Sequence, residues 1–343
     1  MWGGGARGAA ARGAAARGGR GAAAAGAGAA WAAREHRLRD GACLEVLEAA
    51  PSGALAEAGA ASRRPPLVFL HGSYHAAWAW ENFMGRFAAR GFRCYAPSFR
   101  GHGASAPPRV PGDALEGSLE GHATDVLDLL EGLGEAPPVL VGHSFGGLIA
   151  QLVATWGDDR PQARGAAGPA PPPGSGGRPQ LAGLVLLNSV PPTGNGAMTK
   201  RFLLTRPLDA WRVTMGFIRK TFADSAAECR YLFFSDDLPD ADLERYQALI
   251  ASSAQPGTKL LDLRRLRGSL PIQAGACDLP PVLVVGSADD RVVDRDGILE
   301  TAAHFGLPEP VFLAGAAHDS MLDTRWDDAA DALEAFLDGL PPP

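Results

Sequence analysis

The run Val139-Leu140-Val141-Gly142-His143-Ser144-Phe145-Gly146-Gly147 constrains this chain more than any other stretch. Val139–Val141 is an apolar β-type run entering Gly142, and Leu148, Ile149, Leu152, Val153 and Trp156 follow at helical spacing. A G-x-S-x-G pentapeptide between a strand and a helix forces a sharp turn with the serine at its apex. That turn strains the serine's backbone, and a side chain at Gly142 or Gly146 would crowd it. The helix starts just after Ser144, so its unpaired N–H groups and positive dipole end face any negative charge that develops there. Ser144 is a candidate nucleophile.

The rest of the chain repeats the strand–helix rhythm. His36–Leu38 and Cys43–Leu47, either side of Asp40-Gly41, read as a β-hairpin. Leu67–Leu70 is a short, fully buried strand. Trp80, Phe83, Met84 and Phe87 predict a helix ended by Gly91, and Phe92–Ala96 the next strand. Val126, Leu129, Leu130 and Leu133 mark a second helix. After the elbow helix come strands at Leu184–Leu187, Val282–Val285 and Val311–Leu313, with helices around Ile298–Phe305 and at Ala330, Leu333, Phe336, Leu337 and Leu340. The expected fold class is α/β, with a mostly parallel central sheet and helices on both faces. Residues 35–193 and 276–340 form this core, and the Pro/Gly/Ala/Arg-rich stretch 157–180 reads as a disordered loop insertion. Residues 194–275 break the rhythm with helical segments around Phe202–Thr221, Ala226–Phe234 and Ala241–Ser252. They are expected to form a helical cap over the strand ends, where ligands sit in open α/β sheets.

Residues 1–34 stand apart: almost entirely Ala, Gly and Arg, with no acidic residue before Glu35. Such a segment cannot bury a core and is expected to be disordered. Basic and acid-free, it fits a transit peptide, so a plastid is the expected location, with mitochondrion or cytoplasm as alternatives. Its lack of serine departs from that pattern, and Ala, Gly and Arg are enriched throughout the chain. The net charge of -6 argues against a nucleic-acid partner. No apolar run is long enough to cross a bilayer. Cys43, Cys94, Cys229 and Cys277 are scattered without a C-x-x-C pair, which predicts free thiols and neither a metal site nor a redox dithiol.

A serine hydroxyl needs a base, and the base needs an acid to orient it. His318, in Leu313-Ala314-Gly315-Ala316-Ala317-His318, lies just past the last strand and is the candidate base. Two acids lie past the preceding strand. The D-x-V-V tail favours Asp290, while the count from Gly286 favours Asp289; Asp290 is taken first and Asp289 second. The oxyanion donors are expected to be the amides of Phe145 and Ser73, the latter in His71-Gly72-Ser73-Tyr74-His75. His71 and His75 are expected to shape this loop by hydrogen bonding. Gly72, Tyr74 and His143 are placed on the substrate side, with no chemistry assigned to His143. His36, His122 and His304 read as ordinary surface or helix residues.

Five motifs in fixed order carry a resemblance. They are H-G-S-Y-H-A-A-W-A-W at 71–80, S-F-R-G-H-G-A-S at 98–105, G-H-S-F-G-G at 142–147, G-S-A-D-D-R-V-V at 286–293 and A-H-D-S-M-L-D at 317–323. Over nearly all of residues 35–340 the chain resembles the serine-triad branch of the α/β-hydrolase superfamily. With Leu232-Phe233-Phe234-Ser235-Asp236-Asp237-Leu238-Pro239, the set looks most like AB hydrolase-1 proteins of plants, algae and cyanobacteria. Residues 71–80 also resemble the plant methylesterase and hydroxynitrile lyase group. The resemblance implies ester hydrolysis through an acyl-enzyme on a small apolar substrate, with no cofactor. Epoxide hydrolases and haloalkane dehalogenases carry an aspartate where this chain has Ser144. Hydroxynitrile lyases rely on a lysine near the histidine, where this chain has Asp319.

The cap aromatics Trp211, Phe217, Phe222, Tyr231, Phe233 and Phe234 would suit an apolar acyl or aromatic group, or simply form the cap's own core. Two other readings stay open. His318 and Asp323 form H-x-x-x-x-D, a spacing seen in acyltransferases. A non-catalytic ligand-binding protein on the same scaffold could also keep the triad.

Overall fold

The computed structural model describes residues 31–51, 64–107, 117–156, 179–255, 258, 260, 261, 272 and 279–341. Among these residues eight strands form one sheet: β1 (Trp31–Arg37), β2 (Cys43–Ala49), β3 (Leu67–Leu70), β4 (Cys94–Pro97), β5 (Val139–His143), β6 (Gly183–Leu187), β7 (Val282–Ser287) and β8 (Val311–Leu313). Their order is β1-β2-β4-β3-β5-β6-β7-β8. β1 and β2 pair antiparallel, as does β2 with β4; every other pairing is parallel.

Strand alternation divides the core between the two faces. Leu67, Phe69, Val139 and Val141 join one apolar cluster, while Val68, Leu70 and Leu140 join the other. The first cluster takes in Phe83, Met84 and Phe87 of α1 (Glu81–Ala89), and includes a Phe69–Trp80 stack at 5.0 Å. The second takes in α2 (Leu119–Leu133) and α3 (Ser144–Thr155). α2 runs from a Ser118 cap, whose hydroxyl accepts the Gly121 amide, to Gly134, which ends it at φ 60°. The loop after β4 is locked by the Arg100 guanidinium, which donates to Asp125 and Asp40 at 2.7 Å. Helices cover both faces because strands buried on both sides have no face left for water.

Among the described residues between β6 and β7 lie five helices: α4 (Gly196–Thr205), α5 (Pro207–Arg219), α6 (Thr221–Asp224), α7 (Ala226–Phe233) and α8 (Asp240–Ser253). The expected continuous segment Phe202–Thr221 is broken at Arg206 because Pro207 cannot continue a helix from the preceding turn. α9 (Arg295–His304) and α10 (Trp326–Asp338) complete the chain. β1 already includes Trp31–Arg34, ahead of the expected start at Glu35, because these residues add the outer half of the β1–β2 ladder. Residues 1–30 and most of the 157–180 insertion lie outside the described residues. Cys94 and Cys229 are buried free thiols and Cys43 is half-buried.

Candidate active site

β5 delivers Ser144 at the sheet's carboxyl edge with φ 53°, a left-handed conformation that costs a non-glycine residue about 1–3 kcal/mol. The glycines around it answer to close approach. A Cβ on Gly142 would lie 2.6 Å from Gly147 Cα, and one on Gly146 would lie 2.3 Å from the His71 carbonyl oxygen. Gly146 therefore holds the start of α3 against the loop that follows β3. The Phe145 amide follows Ser144 at the start of α3, and the Ser73 amide lies in the loop that Gly146 meets. Among the described residues neither N–H is taken up by a protein acceptor. Gly146→Ala should lower stability by about 1–3 kcal/mol and cut turnover sharply, because His71 and α3 must separate. Urea melts and ester assays on one preparation would read both effects.

His318 stands between two partners. Its Nε2 lies 3.1 Å from Ser144 Oγ, and its Nδ1 lies 2.8 Å from Asp290 Oδ2. The second oxygen of Asp290 accepts the Val292 and Val293 amides at 2.7 and 2.9 Å, which fixes the carboxylate's plane. Asp289 is exposed, so Asp290 is the acid that meets the histidine. Burial pushes the His318 imidazole down, but the Asp290 charge and hydrogen bond, aided by Asp319, outweigh it and leave the pKa raised.

A second buried network lies behind this one. Asp319 is fully buried, and its Oδ2 accepts from His75 Nε2 at 2.7 Å. His75 Nδ1 donates to the Ser73 carbonyl at 2.8 Å. The residue after His318 is thereby tied to the Ser73 peptide. Burial raises the Asp319 pKa, but the nearby imidazoles of His75, His143 and His318 win and hold it low. His71 donates from Nδ1 to the Gly72 carbonyl at 2.8 Å and accepts the Phe99 amide on Nε2 at 2.9 Å. That is a neutral tautomer, consistent with a pKa that burial lowers well below the usual value. Both loop histidines thus shape the backbone, as the sequence led one to expect.

His143 is a correction. It is fully buried, and its Nε2 donates to the His318 carbonyl at 3.0 Å, so it supports the loop that carries His318 rather than facing a substrate. Burial drives its pKa down to about 3, so it stays neutral. Gly72 is required beside it: a Cβ there would lie 2.8 Å from His143 Nδ1 and 3.0 Å from Ser144 Cβ. His122 lies on α2, as expected of a helix residue; it is buried, and its Nε2 donates to the Leu260 carbonyl at 2.8 Å. One residue was missed altogether. Asn188, just past β6 at φ 45°, donates through Nδ2 to the His318 carbonyl at 2.6 Å. The signal for it was an asparagine at a strand's carboxyl end, a residue that tolerates left-handed backbone.

His143, His318 and Asp319 also offer ligand atoms within 4.8 Å of one another. His318 has both nitrogens engaged and Asp319 has Oδ2 on His75, so the cluster is a hydrogen-bonded network. Asp323, the second residue of H-x-x-x-x-D, is likewise committed. Its carboxylate accepts the amides of Ala317, Ser235 and Thr324. With Asp319 N–H donating to the Phe233 carbonyl at 2.9 Å, this pins the cap to the base loop.

The cap aromatics separate into two groups. Tyr74 packs with Phe217 and Phe222, at 5.9 and 4.9 Å, and its hydroxyl donates to the Phe217 carbonyl at 3.1 Å. Phe233 bridges this group to His318, with ring centroids 6.4 Å apart. Phe234 stacks instead on Tyr246, Tyr231 is clasped by Arg212 and Arg291, and Trp211 points to solvent. The two readings of the cap aromatics thus divide between them, with Phe217, Phe222 and Phe233 beside Tyr74 and His318 and the other three turned elsewhere.

A family model described as "Alpha/beta hydrolase family" matches residues 67–333. An "Epoxide hydrolase 2" of Siraitia grosvenorii is 30% identical over 99 residues, 29% of this chain and 30% of that protein. A "Non-heme chloroperoxidase" of Streptomyces lividans is 39% identical over 90 residues, 26% of this chain and 31% of that protein. The match thus spans under a third of either relative's length. Among solved structures, an esterase from Exiguobacterium antarcticum superposes with TM-score 0.60 at 16% identity, covering 89% of this chain and 99% of the other. Sheet order, elbow and family match agree: the chain belongs to the alpha/beta hydrolase family of enzymes.

Proposed function

We propose that the protein is a serine hydrolase that cleaves a carboxylic ester, or a related acyl bond, of a small apolar substrate through an acyl-enzyme. One observation carries this reading: the His318 imidazole lies within hydrogen-bond reach of both Ser144 Oγ and Asp290. Ser144 Oγ attacks the carbonyl carbon as His318 Nε2 takes its proton, and Asp290 holds the imidazole and offsets its positive charge. The carbonyl oxygen becomes an oxyanion held by the Ser73 and Phe145 amides. His318 then returns the proton to the leaving alcohol. Water, deprotonated by the same nitrogen, releases the acid. No cofactor enters the scheme.

Tyr74, Phe217, Phe222 and Phe233 offer an apolar wall to the acyl group. Epoxide opening is disfavoured by Ser144, which stands where those enzymes carry an aspartate. Acyl transfer draws no support from Asp323, whose carboxylate is spent on backbone amides. The likeness to plant, algal and cyanobacterial members, and import into a plastid through residues 1–34, belong to the same proposal. Import is tested by fusing that segment to a fluorescent protein, with diffuse cytoplasmic signal counting against it.

A p-nitrophenyl ester series from acetate to palmitate, run beside a fluorophosphonate probe, tests the activity. Turnover with labelling at Ser144 is the expected result. Folded protein that neither turns over an ester nor takes the probe would sink the reading.

A further inference from the structure

Of the large apolar side chains left exposed among the described residues, five cluster on two consecutive cap helices. Leu203, Leu204, Leu208, Trp211 and Ile218 are 57% to 83% exposed. On α5, Leu208, Trp211 and Ile218 follow at i, i+3 and i+10, with half-buried Met215 at i+7, which makes one outward stripe. The opposite stripe, Ala210, Val213 and Phe217, turns toward the protein, with Val213 and Phe217 packed on the core. A helix apolar on two opposite faces needs something on the second face to keep it from water.

Charge names the occupant. Residues 196–220 hold six basic side chains and one acid, Asp209, in a chain of net charge -6. Arg201 is paired with Asp294 and Arg212 with Glu228, while Asp209 accepts the Tyr231 hydroxyl. Lys200, Arg206 and Arg219 remain exposed and enter no ion pair among the described residues. A second copy meeting this face about a two-fold axis would bring these cations toward their own kind. An anionic bilayer satisfies both features, because acyl chains take the Leu/Trp/Ile stripe and phosphates the cationic rim.

We propose that the outer face of α4 and α5 docks the protein on an anionic phospholipid surface. The inner face of the same helix reaches the site, since the Phe217 carbonyl accepts the Tyr74 hydroxyl. Docking would therefore set the cap between the bilayer and Ser144, favouring acyl substrates that partition into lipid. That last clause rests on the ester-hydrolase reading; the docking itself does not.

The test is co-sedimentation of the full chain with phosphatidylcholine vesicles, with and without phosphatidylglycerol. The expected result is binding to the anionic vesicles alone, weakening as salt rises. Leu208→Ser with Trp211→Ser should reduce partitioning by about tenfold or more. Arg206→Gln and Arg219→Gln should each reduce it by about fivefold. All these side chains are exposed and lie outside the catalytic groups, so hydrolysis of a water-soluble ester should not change. Its loss from the unmutated protein would count against the hydrolase reading and leave docking standing. Absent or equal binding to the two vesicle types would overturn the docking proposal, as would binding that the Leu208 and Trp211 variants leave intact. Concentration-dependent dimerisation abolished by those variants would assign the face to a second copy instead.

Discussion

Ser144→Ala should abolish ester turnover, with kcat falling by about a million-fold and the fold intact. The size follows from what is lost. Without Oγ, His318 has nothing to deprotonate at the point of attack, and the remaining oxyanion donors can assist only direct attack by water. KM should change little, because Oγ makes no contact that holds the acyl group before reaction. A companion variant separates chemistry from strain. Ser144 sits at φ 53°, where alanine is as strained as serine and glycine is not. Ser144→Gly should therefore be as inactive as Ser144→Ala yet more stable, by about 1 kcal/mol. Equal melting curves for the two variants would show that the turn stores no strain.

Asp290→Asn should lower kcat/KM by about ten-thousand-fold, and the structure gives the reason. One carboxylate oxygen is held by the Val292 and Val293 amides, so the asparagine oxygen will stay there. The new amide nitrogen then faces His318 Nδ1 as a donor. That forces the proton onto Nε2, the nitrogen that has to accept from Ser144. The pH profile carries a second signature. The base must be neutral to act, and Asp290 raises the His318 pKa above its ordinary value near 6.5 despite burial. Activity of the unmutated protein should therefore fall as pH drops through that raised value. Asp290→Asn moves the acid limb to lower pH.

Asp319→Asn should shift the limb in the same direction by less, since Asp319 contributes the smaller raising effect. It should also reduce kcat, because His75 loses the carboxylate that helps fix the Ser73 peptide. An acid limb that does not move in either variant would mean that another group sets the pH dependence.

Much of this was legible in the sequence because it is local. The strand–Gly–x–Ser–x–Gly–helix turn depends on a few contiguous residues, and parallel strands buried on both faces must be written as short apolar runs. His318 and the two candidate acids follow their strands directly, so chain order alone placed them at one edge of the sheet.

What the linear chain left open was every choice made by contact between distant segments. Asp289 and Asp290 are chemically identical neighbours; the Val292 and Val293 amides and the approach of His318 separate them. His143 sits inside the most recognisable motif, yet its ring is claimed by a carbonyl 175 residues away. The His75–Asp319 pair spans 244 residues, and neither residue announces the other. Cap aromatics share a composition, but helix phase decides that Phe217 turns inward while Trp211 turns out. Turn sterics and strand periodicity act over a few residues, so the linear chain was enough to read the fold class and to single out Ser144 and His318 as candidates. Only the tertiary structure decided which acid, which loop histidines and which aromatics complete the site, because hydrogen-bond geometry and burial arise only where remote segments meet.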